Sequence, residues 1–137
     1  LESLHKQIDA HGGWNLDQRV NTTISELNLP ADKKMNELSG GWLRRVALGK
    51  ALVQKPDILL LDEPTGGMSP EERRTTGELL LPIKKECTLI IVEHDLEWIK
   101  DICDNLTVLD QGKVLDDGTV KHIEASQRVK EVYTSRV

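Results

Sequence analysis

The chain has 137 residues, a net charge of -5, three Trp, one Tyr and no Phe. That length suffices for one core burying roughly 68% of the unfolded surface, the core must be aliphatic, and the acidic balance argues against a general nucleic-acid binder. No apolar run approaches the ~20 residues of a membrane span, the polar start Leu1-Glu2-Ser3 is no signal peptide, and Cys87 and Cys103 lack metal-ligand spacing, so the chain reads as cytosolic with reduced thiols.

In chain order, residues 1–29 read as mostly helical. Leu16, Val20, Ile24 and Leu27 form an apolar stripe, and Pro30 stops it. Leu38-Ser39-Gly40-Gly41-Trp42 then opens a helix running to Val53. Ser39 is its natural N-cap, and Leu43, Val46, Ala47, Lys50 and Ala51 recur at helical spacing, with Leu48 and Leu52 broadening the apolar face. After the break at Lys55-Pro56, the run Ile58-Leu59-Leu60-Leu61 ends in Asp62-Glu63 and reads as a short strand buried on both faces, as in the middle of a parallel sheet. A helix over 70–85 crosses back to a second such strand, Thr88 to Val92, giving a parallel βαβ unit. Asp95 caps a helix over 96–103. Residues 106–109 and 113–115 flank Asp110-Gln111-Gly112 as a hairpin closed by Gly118, and helices over 120–125 and 127–133 finish the chain.

Three places carry chemistry. Asp62 and Glu63 stand at the carboxyl end of a strand, the edge where open α/β sheets bind ligands, so the pair either holds a hydrated magnesium ion and activates a water or is a solvated strand end. Context separates the two readings. Gly40 and Gly41 leave backbone N–H groups uncovered at the positive end of a helix dipole, which suits a phosphate, although a Ser-Gly-Gly start by itself is more often a plain cap. His94, in Glu93-His94-Asp95, ends the second strand and is a candidate phosphate contact.

These elements, in this order and at these separations, resemble the second half of an ATP-binding cassette (ABC) ATPase domain. Leu38 to Trp42 match the signature sequence, Ile58 to Asp62 the Walker B strand, Glu63 the catalytic glutamate and His94 the switch histidine. The resemblance implies an α/β fold with a P-loop NTPase-like parallel sheet and a helical subdomain. Residues 1–54 would belong to the helical subdomain with the signature helix, and 55–137 to the catalytic core. It also implies ATP and Mg2+ as ligands and a second nucleotide-binding domain as partner. Asp62 would help hold magnesium through water, Glu63 would polarise the attacking water, and His94 would contact the γ-phosphate. Ser39, Gly40 and Gly41 would bind the γ-phosphate of a nucleotide held by the partner domain.

Departures from the family pattern are as informative. A P-loop needs G-x-x-x-x-G-K-[ST], and the Gly49-Lys50 and Gly112-Lys113 pairs lack the earlier glycine and the following hydroxyl. The fold is therefore expected to be incomplete, without the Walker A half, and the isolated chain inactive. Met68-Ser69 replaces the Leu-Asp usual in the family's D-loop. The two ends also resemble different branches. His11-Gly12-Gly13-Trp14 and Trp42-Leu43-Arg44-Arg45 look like soluble ABC-F cassettes, which act on the ribosome. Gly66-Gly67-Met68, Val92-Glu93-His94-Asp95 and Val129-Lys130-Glu131-Val132-Tyr133 are similar to ATPase subunits of urea and branched-chain amino-acid importers, which sit on membrane permeases at the cytoplasmic face. A chimera joined within Leu60 to Thr65, or a non-catalytic fragment, is the alternative to an ATPase coupled to transport.

Overall fold

A computed structural model describes residues 2–10 and 15–134, so the His11 to Trp14 motif lies outside the described residues. The chain divides into two compact units, Leu1–His94 and Asp95–Val137. Among the described residues no helix is long and apolar enough to cross a membrane.

The first unit begins with α1 (Glu2–Ala10), α2 (Leu16–Glu26) and a 3-10 turn at Met35–Glu37. Next comes α3 (Gly40–Leu52), which starts where the sequence places its cap: the Ser39 hydroxyl accepts the Trp42 N–H at 3.4 Å. Its buried side differs from the expected stripe. Leu48 and Gly49 are buried, whereas Leu43 and Ala47 are exposed, because α3 meets Thr23, Leu27 and Leu29 along the Gly49 line, where the missing side chain permits close approach.

Strand β1 (Ile58–Asp62) leads through α4 (Pro70–Ile83) to β2 (Thr88–Val92), and the strands pair in parallel with Leu60 opposite Ile90 and Asp62 opposite Val92. Helix α4 starts with a full capping box. The Ser69 hydroxyl accepts the Glu72 N–H while the Glu72 carboxylate accepts the Ser69 N–H, and Pro70 takes the first turn, where its missing donor costs nothing. Leu80, fully buried, anchors the core with Leu27, Leu48, Leu59, Met68 and Ile83.

The expectation that both faces of these strands are buried is corrected. Leu59 is buried, but Ile58, Leu60, Ile90 and Val92 retain 60%, 63%, 48% and 52% of their accessible surface. A parallel sheet loses both faces from water only when elements cover both sides, and this two-stranded sheet has one crossover helix of its own.

The second unit begins with α5 (Leu96–Ile99), which ends at Ile99 rather than continuing to Cys103. Asp95 caps it as the sequence suggests, accepting the Trp98 N–H at 3.2 Å. Strands β3 (Asn105–Asp110) and β4 (Lys113–Thr119) form an antiparallel hairpin whose turn, Gln111-Gly112, has positive φ at both residues (48° and 75°), the backbone twist that matches paired strands.

Gly118 does not close that hairpin. It lies within β4 opposite Leu106 at φ 156°, and a Cβ there would stand 2.9 Å from the His122 ring. The helices α6 (Val120–Ala125) and α7 (Gln127–Thr134) follow, and Ile123 and Val129 are buried, as are Ile99, Ile102 and Leu106 of this unit. Asp116 holds the junction together. Its carboxylate accepts from the Ser126 hydroxyl and pairs with His122 Nε2 at 2.9 Å, and these bonds hold its pKa down from 3.8 to about 2.

Candidate functional site

The parallel register sets the ends of β1 and β2 flush, and the chain turns sharply at once. Glu63 N–H donates to the Val92 carbonyl at 2.9 Å, and Glu63 itself adopts φ 43°, a left-handed conformation uncommon for a side-chain-bearing residue. Its carbonyl then accepts the Gly66 N–H at 3.1 Å, closing a tight turn through Pro64 and Thr65. Strain of this kind costs on the order of 1–3 kcal/mol and persists where surrounding bonds over-determine it.

Those bonds converge on the end of β2. Glu93 has a fully buried side chain, and its Oε1 accepts both the Thr65 N–H at 3.0 Å and the Thr65 hydroxyl. Its Oε2 accepts the His94 N–H at 3.1 Å. Burial pushes this carboxyl up, but the Thr65 and His94 donors outweigh it and hold it below its ordinary 4.5. Next to it the His94 ring is open to solvent, with Nδ1 3.6 Å from Glu93 Oε2 and 3.7 Å from Glu63 Oε1. The two strand ends therefore bring Glu63, Glu93 and His94 into one cluster. Asp62 precedes it, exposed at the strand terminus.

Ser39, Gly40 and Gly41 stand at the start of α3, against the start of α4. A Cβ on Gly41 would lie 2.7 Å from Glu72 Oε1, so that carboxylate occupies the space the missing side chain leaves at the helix start. A cleft of about 240 Å3 opens here, lined by Gly41, Trp42, Arg45, Met68, Ser69 and Glu72, and the Arg45 guanidinium stacks over the Trp42 ring at 4.5 Å. One turn further along α3, Arg44 reaches the turn that follows β1: Nη2 lies 3.3 Å from where a Cβ on Gly66 would be.

Metal chemistry has a modest donor set. Among the described residues no group of three or more His, Cys, Asp or Glu could cage an ion. A single exposed carboxylate at Asp62 does fit magnesium, which keeps several waters and takes the rest of its shell from one or two carboxylates and substrate phosphates. The sequence singles out Glu63 and His94 but not Glu93, Thr65 or Glu72. The available signal for Glu93 was an acid directly after an apolar strand, one residue before the candidate histidine.

Comparison with known proteins adds an independent line. The family model described as ABC transporter matches residues 2–66. The chain is 36% identical over 115 residues to the ATP-binding protein Uup of Escherichia coli (strain K12), covering 84% of this chain and 18% of that protein. It is 35% identical over 111 residues to the methionine import ATP-binding protein MetN of Protochlamydia amoebophila, covering 78% and 33% respectively. The fold matches MJ1267, an ATP-binding cassette of an ABC transporter in its ADP conformation, with a TM-score of 0.78 at 28% identity, covering 88% of this chain and 50% of that one. It also matches cbiO1 from Clostridium perfringens, part of the ABC transporter complex cbiONQ, with a TM-score of 0.72 at 32% identity and the same coverage. The chain thus spans a third or less of these curated relatives and half of the solved cassettes.

Proposed function

We propose that this chain, which belongs to the ABC transporter ATPase family, supplies the water-activating and signature parts of a composite ATP-hydrolysing site. The observation that carries this reading is the meeting of Glu63 and His94 at the flush ends of β1 and β2. Glu63 polarises the attacking water, since an exposed carboxylate held by a strained turn is a fixed proton acceptor. His94, beside it, contacts the γ-phosphate. Asp62 would hold magnesium, whose charge would offset the charge developing on the phosphates when nucleotide is bound. The phosphates themselves need a glycine cradle with a lysine, which this sequence does not contain.

The second role is outward. Ser39, Gly40 and Gly41, at the positive end of the 13-residue α3, bind the γ-phosphate of a nucleotide seated on a facing nucleotide-binding domain. The work coupled to hydrolysis is ATP-driven transport through a membrane permease at the cytoplasmic face, in line with the likeness to an import ATPase. A second reading, a soluble ABC-F-like ATPase acting on the ribosome, has the likeness to Uup in its favour, keeps the same site chemistry and changes only the partner.

The test is Ser39→Arg in a cassette where this chain is joined to a P-loop half. The arginine crowds the space the partner's γ-phosphate needs, so ATP-dependent dimerisation is lost while each domain still binds ATP. Chromatography with and without ATP, alongside equilibrium nucleotide binding, measures the two separately. Loss of ATP binding together with dimerisation contradicts the assignment of Ser39 to the facing site.

A further inference from the structure

Glu93 has no assigned part in the chemistry above, yet its side chain is the most completely bonded acid near the site. It is buried, and it joins two segments separated by 28 residues of sequence: the Thr65 turn that follows Glu63, and the strand end that carries His94. The division of labour between its oxygens is clean. Oε1 takes two donors from Thr65, and Oε2 takes the His94 backbone N–H. Thr65 is itself buried, at 3% exposure, so at that end water is no ready substitute.

From this we infer that Glu93 is a positioning residue, a carboxylate strut that makes the Glu63 turn and the His94 segment move as one piece. The inference rests on the reading of Glu63 and His94 as the water-polarising and phosphate-contacting groups. Its physical basis is acceptor count. A carboxylate offers an acceptor oxygen at each end, and both ends are in use; a glutamine offers only one, because its amide nitrogen donates.

Glu93→Gln in this chain tests the strut without any need for turnover. The single remaining carbonyl serves the two Thr65 donors, so the Thr65 amide keeps its protection from hydrogen exchange while the His94 amide exchanges at least about tenfold faster, the scale expected for losing a bond to a charged acceptor. Glu93→Ala releases both amides. In both variants the amides within β1 and β2 exchange as in the parent chain. Unchanged exchange at His94 in both variants overturns the strut, and so does a uniform rise across β1 and β2, which marks ordinary destabilisation.

A second readout concerns function. In a cassette completed with a P-loop half, Glu93→Gln lowers kcat for ATP with KM little changed, because the glycine-lysine cradle of that half makes most of the nucleotide contacts. Local release at His94 with kcat intact overturns the positioning role. If Glu63→Gln itself leaves turnover intact, the functional reading has failed rather than the strut, and the exchange measurements still judge the latter.

Discussion

Glu63→Gln, in a cassette joining this chain to a P-loop half, lowers the rate of ATP hydrolysis by roughly 10²–10⁴-fold, the range associated with losing a positioned general base. Binding of ATP is retained. The reason is geometric as well as chemical: the Glu63 carboxylate is exposed beside His94 on a turn fixed by the Val92 carbonyl behind it and the Gly66 N–H ahead of it. Glutamine keeps the shape of that turn and removes only the proton acceptor. Single-turnover hydrolysis beside equilibrium nucleotide binding separates the two effects. A parallel fall in both means that Glu63 supports the fold of the turn and not the water.

The second large effect is self-association of the isolated chain. Ile58, Leu60, Ile90 and Val92 present one apolar face of a two-stranded sheet to water. Fully burying a side chain of this kind contributes about 1.5–3 kcal/mol, so covering the exposed half of four of them contributes roughly 3–6 kcal/mol per copy. Two copies meeting face to face gain roughly twice that, against the estimated 4–15 kcal/mol lost on association. The face alone gives weak pairing. Backbone groups on the open strand edges add to it, and together they drive association at tens of micromolar. Sedimentation velocity across a concentration series is the measurement, with Leu60→Lys as the control that disperses the assemblies. A sharp monomer at every concentration, with one cooperative thermal transition, contradicts this expectation and means that the exposed face is tolerated.

Much of the fold was readable because it follows from local chemistry. The Ser39 cap, the stop at Lys55-Pro56, the two apolar runs ending in acids and the turn at Gln111-Gly112 all act within a few residues of sequence, and each appears where the chain predicts it. What escaped prediction depends on distant partners. Four apolar residues in a row look alike whether one face or both are covered, so the exposed face of β1 could not be read from Ile58 to Leu61. The stripe on α3 failed for a related reason: burial followed the narrow Gly49 line, where α2 comes closest, rather than the largest side chains.

Gly118 shows the limit in another form. A glycine after a hairpin reads as its closing turn, but here it makes room for the His122 ring. The site divides the same way. Asp62, Glu63 and His94 stand out because they end strands, and Ser39 to Gly41 because they begin a helix. Glu93 and Thr65 are ordinary residues in sequence, and only the parallel register of β1 on β2 brings the buried carboxylate to the turn it holds.

In the proposed function this chain carries the water-activating half of an ATPase site without the cradle that holds the phosphates. Magnesium-dependent phosphate release from ATP, measured on the chain alone and after joining it to a P-loop half, tests this most directly. No release above buffer is expected for the chain alone, and the joined protein should show turnover that Glu63→Gln removes; turnover by the chain alone that vanishes with Glu63→Gln would overturn the proposal.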